Sequence, residues 1–145
     1  MRALESVAPG WGVTAVRVTM GIILIAAGYA KFAGGIEGFA GSLGQLGFPA
    51  PGLLAPLLAT WEIVGGLLIL VGLGGRWLGL LVIAEFLVAA FVVKLPRAGW
   101  DASRIDLMML AGGLLLLLAG AGKASVDEIL MRRRTGAVSA SEGVR

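Results

Sequence analysis

The side chains of this sequence that could do chemistry are a few charged residues inside long apolar runs. Arg17 lies about a turn and a half into the first run, and Lys31 lies close to its end. Glu62 and Glu85 lie near the middle of the second and third runs, and Asp106 begins the fourth. Because a charge at membrane depth is costly and usually marks an ion, proton or ligand site, each of these residues is a functional candidate.

Depth along the runs places several of these side chains together. With a rise of 1.5 Å per residue, Glu62 lies about 16 Å from the outer end of its run and Glu85 about 12 Å from the inner end of its own, close to one midplane depth. We predict an inner polar cluster of Arg17, Glu62 and Glu85, with Trp61 beside it. Two carboxylates facing one arginine leave an excess negative charge, and a low dielectric favours protonation of one of them. A protonatable carboxyl beside Trp61 could bind a quinone or a small acid, or accept protons from a quinol.

An outer ion pair is predicted between Lys31 and Asp106, with Lys94 and Arg104 nearby. Lys31 ends the first run and Asp106 begins the fourth, so both side chains can reach the outer interface. For this pair and for the inner cluster, the alternative to a ligand or proton site is structural. Ion pairs of this kind can simply fix the register of packed helices.

The composition excludes several kinds of chemistry. The 145 residues include no cysteine and no histidine. The chain therefore has no disulfide, thiol nucleophile or iron–sulfur ligand, and it has no imidazole base or usual haem ligand. No metal site and no intrinsic cofactor are predicted, and a quinone is the candidate for a borrowed one.

The elements that must position the charged residues are helices long enough to cross a bilayer. Hydrophobic residues make up 58% of the chain and charged residues 14%, whereas a soluble domain carries about 25% charged residues. A transmembrane helix needs roughly 20 mostly apolar residues, and four segments approach or meet that length. They are residues 11–32, 51–73, 77–95 and 105–120. The sequence predicts an all-α integral membrane protein, a four-transmembrane-helix bundle forming one domain over residues 1–134.

Two further helices are predicted outside the spans. Apolar residues recur at helical spacing between residues 33 and 50, which indicates a short amphipathic helix. It would serve as a lid over the bundle, or as a gate for a lipid-soluble ligand. Ser125 and Glu128 form a capping box that begins a C-terminal interfacial helix over about residues 125–134. The remainder, residues 135–145, is predicted to be disordered.

The distribution of basic residues predicts the orientation. Four spans place both termini on one side, and that side holds most of the arginines and lysines, so both termini are predicted to be cytoplasmic. The net charge of +3 suits an anionic lipid surface. Because the basic residues lie beside the spans, nucleic acid is not a predicted partner.

Three stretches of the sequence resemble the DoxX family of small four-span membrane proteins. The first span reads R-V-T-M-G-I-I-L-I-A-A-G-Y-A-K-F, the second W-E-I-V-G-G-L-L-I-L-V-G-L, and the chain continues after the fourth with G-A-G-K-A-S-V-D-E-I-L. The resemblance covers about residues 14–131. The family pattern has an arginine opening the first span, a lysine closing it and a glutamate in the second, which fall on Arg17, Lys31 and Glu62. Its terminal G-P-G…S-L-D signature falls on residues 120–127, with Ala121 in place of the proline.

The fourth span of the family usually opens with glutamate, and here it opens with Asp106. Glu85 matches no family motif. The resemblance implies a bacterial cytoplasmic membrane protein that is a quinone- or small-molecule-interacting subunit of an oxidoreductase complex. It implies a redox partner protein, and it leaves open a homo-oligomer and whether the chain itself is an enzyme.

Two other functions remain open at this stage. A non-enzymatic membrane scaffold or assembly factor would use the same bundle to hold partners. A small proton-coupled transporter would need a carboxylate in the membrane, but small multidrug transporters carry theirs in the first span. Here the first span carries Arg17 instead.

Overall fold

The structure is a computed structural model that describes residues 8–132, and within that range it is helical and contains no strand. The helices are α1 (Ala8–Ala33), α2 (Ile36–Gln45), α3 (Pro51–Val71), α4 (Gly75–Leu87), a π-helical segment (Val88–Lys94), α5 (Leu95–Ala119) and α6 (126–132). The prediction for residues 135–145 and the end of the interfacial helix at 133–134 lie outside the described residues. We call α2 the lid helix and residues 120–132 the C-terminal segment.

Three helical stretches in the described chain are long and apolar enough to cross a membrane. They are Gly10–Ala33, Pro51–Val71 and Gly75–Ala119. The third has 45 residues and is interrupted at Gly99, whose φ of 75° and ψ of −168° are not helical. Glycine adopts a positive φ at little steric cost, so the chain can reverse there.

The two arms on either side of Gly99 pack against each other. A Cβ built on Gly79, in α4, would lie 2.7 Å from the carbonyl oxygen of Gly113, in α5. The same close approach joins α1 and α3, where a Cβ on Gly28 would lie 2.6 Å from the carbonyl oxygen of Ala59. Small residues allow this backbone contact in lipid, where close packing must replace a hydrophobic driving force between helices.

Gly79→Ala is therefore expected to lower the free energy of unfolding by about 1–3 kcal/mol, the usual cost of overpacking. The new Cβ would meet the Gly113 carbonyl oxygen and the Leu117 amide nitrogen, which are backbone atoms that cannot rotate away. The matched control is Gly12→Ala in α1, where a Cβ has no neighbour within 4 Å. That control should be neutral or slightly stabilising, because alanine favours a helix by about 1 kcal/mol. Equal thermal midpoints for the two variants in detergent would contradict the close contact between the arms.

The lid helix lies across one end of the bundle, which we call the lid end. It packs mainly on α3, and Leu43 is its buried residue. The C-terminal segment lies at the other end, where its Lys123 amide donates to the carbonyl oxygen of Gly10 near the start of α1. Between the two ends the core is apolar and includes Met20, Leu24, Ile69, Val82, Met109 and Leu116.

Candidate functional site

A cavity of about 330 Å³ lies beneath the lid helix and gathers charged side chains from every other long element. Its charged lining comes from α1, α3, α4, the π-helical segment and α5 and consists of Lys31, Glu62, Glu85, Lys94 and Asp106. The remaining walls are mainly apolar and include Phe39, Leu43, Leu46, Phe48 and Phe86. The cavity thus combines an apolar body with a few charged groups, as small-molecule sites do.

The first ion pair of the cavity joins α1 to α3. Lys31 Nζ donates to both carboxylate oxygens of Glu62, at 2.7 Å from Oε1 and 2.5 Å from Oε2. The Glu62 side chain is only 6% exposed, so this carboxylate depends on the lysine for charge compensation. Lys31 also lies over the ring of Phe39 in the lid helix, 5.2 Å from its centroid, which is a cation–π contact.

The second carboxylate is held by the indole of α3. Trp61 Nε1 donates to Glu85 Oε2 at 2.9 Å. Glu62 lies close enough to Glu85 to interact with it electrostatically. Trp61 and Glu62 are consecutive residues, so one turn of α3 contacts both Lys31 and Glu85. The structure therefore brings together three of the four members of the predicted cluster.

The third carboxylate belongs to α5. Lys94 Nζ donates to Asp106 Oδ1 at 2.8 Å across the reversal at Gly99. The Asp106 side chain is only 4% exposed, and its Oδ2 is buried with no hydrogen-bond partner in residues 8–132. A buried carboxylate oxygen without a partner is costly, and such atoms are often found at functional sites.

The π-helical segment Val88–Lys94 contributes an unusual stretch of wall to this cavity. Val88, Ala89, Val93 and Lys94 all line it. In a π-helix each backbone amide donates to the carbonyl oxygen five residues earlier, as the Leu95 amide does to that of Ala90. The side chains are therefore rotated relative to the positions they would have in an α-helix. Such segments are frequent at functional sites. The apolar sequence of this stretch gave no sign of it.

The predicted ion pair between Lys31 and Asp106 is wrong, although both residues line the same cavity. Lys31 pairs with Glu62, because α1 packs along α3, and Asp106 pairs with Lys94, because the chain folds back at Gly99. Arg104, predicted to lie near this pair, contacts Asp101 on the surface instead, with Nη1 to Oδ1 at 3.4 Å.

Arg17 does not join Glu62 and Glu85, which corrects the predicted inner cluster. It lies fourteen residues before Lys31 on α1, which is about 21 Å at 1.5 Å per residue. Its guanidinium instead donates to the carbonyl oxygens of Ala121, at 2.6 Å, and Ala124, at 3.0 Å. These carbonyls are available because α5 ends at Ala119 and the chain beyond it is not helical, with a positive φ at Gly120, Gly122 and Ala124. Arg17 is 3% exposed and holds the C-terminal segment against the bundle.

Asp127 completes this attachment. Its Oδ1 and Oδ2 accept hydrogen bonds from the Gly74 and Gly75 amides, both at 2.9 Å, at the start of α4. Its own amide donates to the carbonyl oxygen of Gly72 at 3.1 Å. A carboxylate at a helix N-terminus binds the free amides and favours the positive end of the helix dipole. The C-terminal segment thus fastens the turn between α3 and α4.

The predicted Ser125–Glu128 capping box is present in part at the start of α6, because the Glu128 side chain binds the Ala124 amide rather than that of Ser125. The Glu128 amide donates to Ser125 Oγ at 3.2 Å, and Glu128 Oε2 accepts from the Ala124 amide at 3.0 Å. Arg132 donates to Glu128 Oε1 at 2.8 Å, and this bond lowers the pKa of the Glu128 carboxyl. Arg133 and Arg134, which follow Arg132 in the sequence, lie outside the described residues.

Long apolar helices that enclose a charged cavity define a helical integral membrane protein. The chain belongs to the DoxX family, whose model, described as DoxX, matches residues 12–95. Within that range lie Lys31, Glu62, Glu85 and Lys94, whereas Asp106 lies beyond it.

The chain is also similar to three bacterial proteins along almost their whole lengths. It is 31% identical to "Putative oxidoreductase CatD" of Bacillus subtilis, covering 89% of this chain and 95% of that one. It is 33% identical to "Inner membrane protein YqjF" of Escherichia coli, covering 92% and 99%. It is 29% identical to "Uncharacterized membrane protein Rv3486" of Mycobacterium tuberculosis, covering 93% and 97%. No solved structure matches the chain.

Proposed function

We propose that this protein is a quinone- or small-molecule-interacting subunit of a membrane oxidoreductase complex and that the ligand binds in the charged cavity beneath the lid helix. The observation that carries the proposal is the convergence of three carboxylates and two lysines on one apolar cavity. Ionisable residues inside membrane helices commonly belong to proton or ligand pathways. A volume of about 330 Å³ is within the range of small-molecule sites, which begins near 300 Å³.

The redox part of the proposal has two supports. The Bacillus subtilis relative carries an oxidoreductase name, and the match covers 95% of its length. The sequence contains neither cysteine nor histidine, so a redox group would come from the ligand or from a partner protein. The carboxylates of the cavity would then exchange protons with the ligand while the electrons pass to the partner.

We further propose four membrane spans, with the arms before and after Gly99 each crossing the bilayer. The contact between Gly79 and Gly113 supports this, because the arms run alongside each other. Both termini would be cytoplasmic, with α6 lying on the inner leaflet. Arg76, Lys123 and Arg132 belong to that end of the bundle, where basic residues are favoured. The lid helix and the cavity would then face the outer half of the membrane.

Filling the cavity tests the proposal. Ala89 lines it, so Ala89→Phe is expected to weaken binding of a short-chain benzoquinone at least about tenfold by occupying the volume that the ring needs. Binding is measured by quenching of tryptophan fluorescence in mild detergent. The matched control is Ala84→Phe, an exposed position in α4 outside the cavity lining, which should bind as the unmodified protein does. Absence of binding to the unmodified protein, or equal binding by both variants, would overturn the proposal.

A further inference from the structure

The charged groups of the cavity offer a ligand more hydrogen-bond acceptors than donors. Each lysine is already tied to a carboxylate, Lys31 to Glu62 and Lys94 to Asp106. Trp61 donates its only side-chain N–H to Glu85, and the Ser42 hydroxyl of the lid helix donates to the carbonyl oxygen of Gly38. Three carboxyl groups also bring six acceptor oxygens to the cavity, against two ammonium groups.

Asp106 has the clearest unused acceptor. One of its oxygens binds Lys94, while Oδ2 is buried and has no partner in the described residues. A hydroxyl donor can satisfy this oxygen, and its hydrogen bond to a carboxylate is stronger than one between neutral groups. A ligand that presents only carbonyl oxygens has no hydrogen to donate and would leave Asp106 Oδ2 unpaired.

We propose that the cavity selects the reduced form of its aromatic ligand, a quinol rather than the corresponding quinone, and that Asp106 accepts a hydrogen bond from a quinol hydroxyl. The inference rests on the proposed function, that a ring of the quinone class occupies the cavity, and adds which redox form is held. A quinol has two hydroxyl donors for the carboxylates, whereas a quinone has two carbonyl acceptors. Discrimination of this kind is strong, because a wrong ligand leaves buried polar groups unpaired.

Three ring-matched probes test the selection on the unmodified full-length protein in mild detergent without oxygen. They are a short-chain hydroquinone, its quinone and its dimethyl ether, which keeps the ring and loses both donors. The hydroquinone is expected to bind at least about tenfold more tightly than either, the factor for one hydrogen bond to a charged group. Equal binding of hydroquinone and quinone would overturn the inference and leave the proposed function standing. Equal binding of hydroquinone and dimethyl ether would also overturn the inference, and binding of none of the three would overturn the proposed function itself.

Asp106→Asn tests the assigned residue. Asparagine has the same shape but is neutral and adds an amide donor, so the preference for hydroquinone over quinone should fall about tenfold, with quinone binding kept or improved. Retained quinone binding also shows that the variant is folded. The matched control is Asp101→Asn, whose side chain is 85% exposed on the same helix and should keep the preference of the unmodified protein. An unchanged preference in Asp106→Asn would overturn the role of Asp106, and the three-probe series tests the selection even if that variant fails to fold.

Discussion

Lys31→Met is expected to lower the free energy of unfolding by about 3–5 kcal/mol, the cost of breaking a buried ion pair by removing one partner. The substitution leaves Glu62, 6% exposed, without its counter-charge and next to a second carboxylate, Glu85. Methionine keeps most of the length of the lysine side chain, so the loss reports charge compensation rather than a cavity. Unfolding of the purified protein in detergent, followed by denaturant or heat, measures it.

The double variant Lys31→Met/Glu62→Gln separates the pair from the general effect of altering α1. Removing both charges should recover most of the lost stability, because the penalty comes from an uncompensated buried carboxylate. Arg104→Met is the control for removing a basic residue from the lid end. Its side chain is 63% exposed and should change stability by about 0.5 kcal/mol or less. A double variant as unstable as Lys31→Met alone would show that Glu62 does not depend on Lys31.

Asp127→Ala is expected to lower the free energy of unfolding by about 2–4 kcal/mol and to release the C-terminal segment. The estimate combines the loss of a helix N-cap with the loss of two hydrogen bonds to a carboxylate. The amides of Gly74 and Gly75 would lose their acceptor, and Arg17 would lose a nearby negative charge. Tryptic cleavage after Lys123 should therefore become faster, since its amide no longer stays bonded to the start of α1.

Two further variants serve as comparisons for this result. Asp127→Asn keeps one acceptor oxygen and should lose about half as much stability, while Asp101→Ala, at an exposed position, should lose little. Faster cleavage after Lys123 in Asp127→Ala but not in Asp101→Ala would identify the attachment. Unchanged cleavage in both would mean that the other contacts of the segment, those of Arg17 and of the Lys123 amide, hold it without Asp127.

The separate roles of Arg17 and Lys31 show which parts of the site could be predicted from the sequence. Depth along a helix follows from the rise per residue, so the similar depths of Glu62 and Glu85 could be predicted, and both residues line the same cavity. Only the structure excludes Arg17 from the cluster, because Glu62 pairs with Lys31, which lies about 21 Å from Arg17 along α1. The free carbonyls that Arg17 binds follow from Gly120 and Gly122, a signal the sequence did offer.

The pairing of Asp106 could not be predicted in the same way. It requires the reversal at Gly99, which lies in the predicted break between the spans 77–95 and 105–120, and also the rotation of Lys94 by the π-helical segment. The second requirement is not visible in an apolar run of alanine, valine and phenylalanine. Hydrogen bonding in that segment depends on what packs against it. The sequence places Lys94 at the end of the third span and only near Asp106, whereas it is the partner of Asp106 and part of the cavity wall.

The sequence alone determined that this is a helical membrane protein of the DoxX family, because apolar content and helix length are properties of the chain itself. It also determined which residues carry charge into the membrane and at what depth. Only the tertiary structure decided which of those charges meet, because the direction of a side chain around a helix matters only relative to the neighbouring helix. Close glycine contacts, the turn at Gly99 and the π-helical segment set those directions and placed five charged residues around one cavity.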